Sequence, residues 1–225
     1  MPKELWKPNT KQILESNMMA LYQRVFGENI KDPNYFDYSL LHKWSLNNPD
    51  KFWDSVWDDS GIIGDKGEII IDHYEDLLDS QFFPDSKINF AENLLQGNED
   101  SQAIVFYGEG KDKSILNLSE LRKKVFSLAL WLKGNGIEAG DRVAALLPNC
   151  PETIIAMLAT SSIGGIFTSC SPDFGEEGIV DRFGQSRPKI FITCDGYIYG
   201  GKKFDIREKS KNISERISSI NKTIR

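Results

Sequence analysis

Histidine is almost missing from this chain, with two in 225 residues, and neither His42 nor His73 has a neighbour at metal-ligand spacing. No metal centre or imidazole-based nucleophilic site is therefore spelled out, and the G-x-S-x-G turn of a serine nucleophile is missing as well. Cysteine is nearly as scarce. Cys150, Cys170 and Cys194 are odd in number, widely spaced and without a C-x-x-C pair, which excludes a disulfide scaffold. They read as reduced thiols of a cytoplasmic protein, so the sequons at Asn117, Asn212 and Asn221 carry no glycosylation meaning. No apolar run approaches the ~20 residues that a membrane helix needs. Residues 1–6 lack the apolar stretch of a signal peptide, so the expectation is a cytoplasmic chain with no membrane partner.

What is present is an ordinary globular composition, 40% hydrophobic and 27% charged, long enough for one large domain or two small ones. The net charge of −6 is unevenly spread: residues 202–225 carry eight Lys/Arg against three Asp/Glu, and the rest is strongly acidic. An acidic body argues against nucleic acid as a partner, and the basic tail reads as a solvated helix face.

Residues 141–195 organise the chain. The apolar run 143–147, bounded by Asp141-Arg142 and Pro148, reads as a strand buried on both faces. Pro151 suits the first turn of a helix, with Asn149 or Cys150 as cap and Gly164-Gly165 as stop. A second strand at 166–169, a helix at 176–185 and a third strand at 189–193 follow. Strand, helix, strand, helix, strand with short joints predicts a parallel sheet with right-handed crossovers. Ligands of such sheets sit beyond the carboxyl ends of the strands, here near Pro148, residues 169–175 and residues 194–201.

The first 95 residues read as a helical appendage. Thr10 is expected to cap one helix through Phe26, ended by Gly27; further helices are predicted at 38–46 and 49–58. Phe52, Trp53, Val56 and Trp57 fall on one stripe, which predicts packing in a core. A short strand is expected at 68–72, and 79–95 reads as a long connection. Residues 103–107 and 115–118 form a predicted hairpin with a polar turn at 108–113, and Ser119 is expected to cap a helix stopped by Gly134 or Gly136.

Two glycine patterns imitate nucleotide motifs. Gly134-Asn135-Gly136-Ile137-Glu138-Ala139 has the letters of the dinucleotide fingerprint, but it ends a helix instead of opening one. Gly196-Tyr197-Ile198-Tyr199-Gly200-Gly201-Lys202-Lys203 follows a strand but ends in Lys203, where a P-loop needs Ser or Thr for magnesium. It remains a glycine turn with lysines beside it, fit either for a phosphate contact or for a plain surface hairpin. The pair Glu176-Glu177 opens a helix, where the dipole explains it.

Longer stretches carry a resemblance. Leu41-His42-Lys43-Trp44-Ser45 and Pro49-Asp50-Lys51-Phe52-Trp53-Asp54-Ser55-Val56-Trp57 resemble the amino-terminal extension of the acetyl-CoA synthetase group of adenylate-forming enzymes. Phe82-Phe83-Pro84-Asp85 through Asn89-Phe90-Ala91-Glu92-Asn93 and Cys170-Ser171-Pro172-Asp173-Phe174-Gly175 resemble the acetoacetyl-CoA synthetase branch. Gly140-Asp141-Arg142-Val143-Ala144, Pro148-Asn149, Pro151-Glu152 and Ala156-Met157-Leu158-Ala159 are similar to the wider superfamily's first α/β unit.

The resemblance implies an α/β fold in which a helical extension, residues 1–95, precedes the first parallel βαβ unit of the large domain, residues 96–225. It also implies an amino-terminal portion of a longer acetoacetate–CoA ligase. That enzyme would make an acyl-adenylate from acetoacetate and ATP with Mg²⁺, then pass the acyl group to coenzyme A. The phosphate loop and catalytic lysine of such enzymes are not found here, so no catalytic residue is assigned, the ATP and Mg²⁺ sites are expected outside this chain, and the chain alone is expected to be inactive. Coenzyme A contacts fall by position on Ser171, Asp173, Phe174 and Gly175, and on the turn bearing Tyr199 and Lys202. Tyr199 stands where acetyl-CoA synthetases carry Arg, which makes Lys202 the better phosphate contact. A synthetase for another short acid, or a truncated non-enzymatic binding module, is the alternative.

Overall fold

The structure is a computed structural model that describes residues 5–225 except 28, 77, 111 and 112. Residues 1–4, used above to judge a signal peptide, and the middle of the predicted 108–113 turn lie outside the described residues. The chain divides into two compact units, residues 1–88 and 89–225.

In the first unit the expected single helix is two, α1 (Thr10–Leu14) and α2 (Asn17–Phe26). Ser16 leaves helical geometry at ψ 148°, and its hydroxyl accepts the Met19 N–H. The continuous apolar stripe hid this cap, because residues on both sides still face one core. Asn9, not Thr10, opens α1, through a capping box with Gln12. Met19, Leu21, Tyr22, Ile30 and Leu41 form the core of this unit. A 3₁₀ turn (Pro33–Tyr35) precedes α3 (Tyr38–Asn47) and α4 (Pro49–Asp59). Of the predicted aromatic stripe, Trp57 is buried and lies 4.8 Å from Phe83 ring to ring, whereas Trp53 is only half-buried against Phe82. The strand expected at 68–72 shrinks to β2 (Ile71–Asp72), paired with β3 (Gln81–Phe82); β1 (Gly64–Asp65) pairs with β4 (Lys87–Ile88). The stretch expected to be bare connection is thus partly strand, held by pairs too short to show alternation.

The second unit opens with α5 (Phe90–Leu94), capped by Asn89, whose side-chain amide also donates to the Ser161 carbonyl at 3.0 Å. The predicted hairpin forms from β5 (Gln102–Phe106) and β6 (Ser114–Asn117). Helix α6 (Leu118–Gly134) is capped by Asn117 and not by Ser119, because Asn117 lies three residues before Glu120 and closes a reciprocal capping box with it. There follow β7 (Arg142–Leu146), α7 (Pro151–Ser162), β8 (Ile166–Cys170), α8 (Glu176–Ser186) and β9 (Ile190–Thr193). The hairpin β10 (Gly196–Tyr199) and β11 (Lys202–Asp205) leads to α9 (Arg207–Arg216) and β12 (Lys222–Ile224).

Strands β12, β9, β7 and β8 lie in that order in one all-parallel sheet. Alternate residues feed opposite layers. Val143, Ala145, Ile190 and Ile192 join Leu121, Val125, Leu132, Ile155 and Ala159 on one face, against α6 and α7. Ala144, Leu146 and Phe191 join Ile179, Phe183, Ile213 and Ile217 on the other, against α8 and α9. A sheet covered on both faces is why these strands read as unbroken apolar runs. The basic tail, read from sequence as a helix face, adds a strand to this sheet. The tail is not one long helix, since α9 stops at Arg216 and the chain turns into β12. β9 is consequently no sheet edge, as residues 190–192 pair with 222–224 on one side and with β7 on the other.

Gly140-Asp141-Arg142 locks the amino ends of the strands, away from the ligand side. The Asp141 carboxylate accepts from the Glu138 N–H and the Lys189 ammonium, which hold it below its ordinary range. Arg142 donates to the carbonyls of Gly140, Ser186 and Arg187. The rejected dinucleotide look-alike is a helix end: Gly136 is left-handed, and the Ile137 N–H reaches back to the Leu132 carbonyl at 3.1 Å. Among the described residues no helix is long and apolar enough to cross a membrane.

Candidate functional site

Strands β7, β8 and β9 point their carboxyl ends at one cavity of about 740 Å³. The joint after β7 supplies Pro148, Asn149 and Cys150, the loop after β8 supplies Ser171, Pro172 and Asp173, and the chain after β9 supplies Asp195. The β10–β11 hairpin closes one side with Tyr197, Ile198, Tyr199, Lys203 and Phe204, and the β5–β6 turn closes another with Tyr107 and Glu109. This is where a parallel sheet leaves room for a ligand, since the loops diverge at the strand ends and helix starts donate free N–H groups.

The loop 171–175 is tied from three directions. Ser171 donates to the Asp173 carboxylate at 3.0 Å and accepts the Asp173 N–H, a local turn that holds the acid outward. Tyr197 donates its hydroxyl to the same carboxylate at 2.5 Å. That bond, with burial and the charge of Asp173 behind it, pushes the Tyr197 phenol up to about 12. Lys209 from α9 donates to the carbonyls of Pro172 and Phe174, and Arg182 lies over the Phe174 ring at 4.9 Å. The basic tail is thus not simply solvated. Its Arg216 forks onto Glu177 with two 2.7 Å bonds and reaches Glu176, pinning α9 to the first turn of α8.

The β10–β11 hairpin depends on Gly196, because a Cβ there would collide with the Phe204 carbonyl. Tyr197 and Phe204 stack with ring centroids 5.1 Å apart. At the tip, Gly200 and Gly201 are both left-handed, with φ 57° and 73°. Their N–H groups donate to the Glu109 carboxylate, at 3.2 and 2.8 Å.

Of the six residues proposed from sequence, Ser171, Asp173 and Tyr199 line the cavity. Phe174 and Gly175 lie in the same loop but are not part of the lining, and neither is Lys202. Lys203 is part of it. Lys202 pairs with Tyr199 beside the hairpin tip, and Lys203 pairs with Ile198 one position further in. The wall also carries groups that sequence reasoning did not single out as site residues: Glu109, Asp195, Tyr197, Asp205 and Arg207. Arg207 is committed to Asp205, whose carboxyl it lowers to about 2. Lys203 has no ion-pair partner among the described residues and is the cation left to meet an anionic ligand. No group of three or more His, Cys, Asp or Glu side chains able to hold a metal ion occurs among the described residues.

Comparison with known proteins places this geometry. The AMP-binding enzyme family matches residues 91–223. The chain is 44% identical over 217 residues to the acetoacetyl-coenzyme A synthetase of Rhizobium meliloti (strain 1021), covering 96% of this chain and 33% of that protein. Against the acetoacetyl-CoA synthetase of Xenopus tropicalis it is 34% identical over 226 residues, again 33% of the relative and 99% of this chain. The solved acetoacetyl-CoA synthetase from Streptomyces lividans superposes with a TM-score of 0.85 at 30% identity, over 99% of this chain and 35% of that one. The chain therefore spans about a third of the length of these relatives.

Proposed function

Because the chain belongs to the AMP-binding enzyme family, we propose that it is the amino-terminal part of an acetoacetate–CoA ligase. The whole protein condenses acetoacetate with ATP to acetoacetyl-AMP and pyrophosphate, with Mg²⁺ steadying the phosphate charge, and then passes the acetoacetyl group to the thiol of coenzyme A. In this reading residues 1–95 are the extension and residues 96–225 the first part of the large domain. The ATP and Mg²⁺ sites and the catalytic lysine lie in the remainder of the polypeptide. This portion supplies a docking place for coenzyme A and no reacting group, so by itself it does not adenylate.

One observation carries the proposal. The stretch Cys170-Ser171-Pro172-Asp173-Phe174-Gly175, which resembles the acetoacetyl branch, also walls the cavity at the end of β8 through Ser171, Pro172 and Asp173. Within it, the loop 171–175 and the β10–β11 hairpin receive the nucleotide end of coenzyme A. Tyr107, Tyr197 and Tyr199 offer aromatic faces for a base. Lys203, with Lys202 beside it, offers point charge for a phosphate.

The test uses the complete polypeptide that carries this chain. Acetoacetate should drive ATP–pyrophosphate exchange at least tenfold (on the order of 1.4 kcal/mol) better than acetate or propionate. Addition of coenzyme A should then release acetoacetyl-CoA. Exchange that prefers another acid would reassign the substrate, and a protein with no exchange for any short acid would end the ligase reading.

A further inference from the structure

Glu109 occupies an unusual position for a surface carboxylate. It lies in the polar turn between β5 and β6, yet each of its oxygens takes one N–H from the tip of a different hairpin, Oε1 from Gly200 and Oε2 from Gly201. Two successive left-handed residues turn their N–H groups toward a common point, forming a concave donor pair suited to an anion. Both hairpins are closed by their own ladders, four cross-strand pairs in each, so neither depends on this bridge for its pairing. Glu109 and Lys203 line the same cavity, and Lys203 pairs with Ile198, whose side chain lies 3.7 Å from the place a Cβ on Gly110 would take.

A carboxylate and a phosphate ask the same thing of two convergent N–H donors, and the phosphate brings more charge and a third oxygen. While Glu109 holds the tip, a phosphate entering the cavity meets a like charge there and finds the donors taken. We infer that Glu109 is an internal competitor for the anionic end of the ligand: it holds the Gly200–Gly201 donors until a phosphate displaces it and pairs with Lys203. Glu109 thereby sets how tightly the cavity takes a phosphate. The identity of the phosphate as that of coenzyme A rests on the function proposed above; the exchange of carboxylate for phosphate does not.

The experiment titrates the chain and its Glu109→Gln variant with inorganic phosphate and, separately, with coenzyme A, following backbone amide resonances. Inorganic phosphate should shift Gly200 and Gly201 in both proteins, and the variant should bind about five- to tenfold more tightly, because one like charge has been removed while an acceptor oxygen remains. Unchanged or weaker phosphate affinity in the variant overturns the inference. So does loss of the β10–β11 amide pattern in the variant, since Glu109 would then be a structural brace. If coenzyme A shifts Ser171 and Asp173 but Glu109→Gln changes neither titration, the cavity reading stands and the competition falls. If phosphate displaces Glu109 as described but coenzyme A leaves Ser171 and Asp173 untouched, the competition stands and the assignment of coenzyme A falls.

Discussion

Tyr197 and Lys203 carry most of what individual side chains decide at the cavity. The Tyr197 phenol donates to Asp173 and so keeps its proton to about pH 12. A phenol whose ionisation is delayed by folding contributes stability that is complete below its unfolded value near 10 and is lost as pH rises toward its folded value. Ultraviolet titration of the native chain should therefore show a late phenol step near pH 12, and Tyr197→Phe should remove it. The variant should also loosen the loop 171–175, because Asp173 loses one of its two side-chain donors. For the ligand, Lys203→Ala in the complete enzyme should raise the coenzyme A KM about 5- to 30-fold, the scale of a charge-assisted bond of ~1–2 kcal/mol in a partly exposed site. Lys202→Ala should do less, and under the proposed function neither should alter pyrophosphate exchange, the step placed before coenzyme A. An equal or larger loss with Lys202→Ala would return the phosphate contact to the residue expected from sequence. At this scale the sequence was only half legible. The glycine turn and its lysines stood out, but the choice between two adjacent lysines depends on which of them reaches the cavity wall. Glu109 gave no signal at all, being one acid in a polar turn whose partners lie far along the chain.

The strands and helices were easier to read, and the errors have a common cause. β7, β9 and α7 show themselves as apolar runs between punctuating Pro and Gly, since both faces of the sheet are covered. β12 escaped notice because Lys222, Thr223 and Ile224 form a margin strand with two exposed side chains and no run. The break between α1 and α2 escaped for the opposite reason, as the apolar stripe continues across the cap at Ser16. The β12 margin has a measurable consequence. Removing residues 218–225 should bare the backbone of β9, speed amide exchange at Phe191 and Ile192, and promote self-association, because an apolar strand without a neighbour is a template for pairing. A monomer with undiminished protection at both amides would mean that β9 needs no cover. Helix α9 supplies the complementary case. Ile213 is fully buried beneath it, so Ile213→Ala should lower unfolding stability by about 2–5 kcal/mol in a denaturant titration. Breaking the exposed Arg216–Glu177 pair by Glu177→Gln should cost far less, because solvent screens it. Reversed magnitudes would show that charge, not burial, holds the tail.

At the scale of the molecule, the proposed function leads to a plain expectation: the isolated 225-residue chain will not support acetoacetate-dependent ATP–pyrophosphate exchange above a protein-free control. Exchange by this chain alone would mean that it houses an adenylation site of its own. That expectation came from resemblance and not from spacing or periodicity, which delivered a sheet and a place for a ligand but no chemistry. The strand order holds a further consequence. β7 is laid down first, β8 pairs on its one flank, β9 on the other, and β12 on the far side of β9. No later strand has to be threaded between two that are already joined. A chain emerging from the ribosome can thus add each strand to an open flank as it appears, and nothing assembled earlier has to come apart.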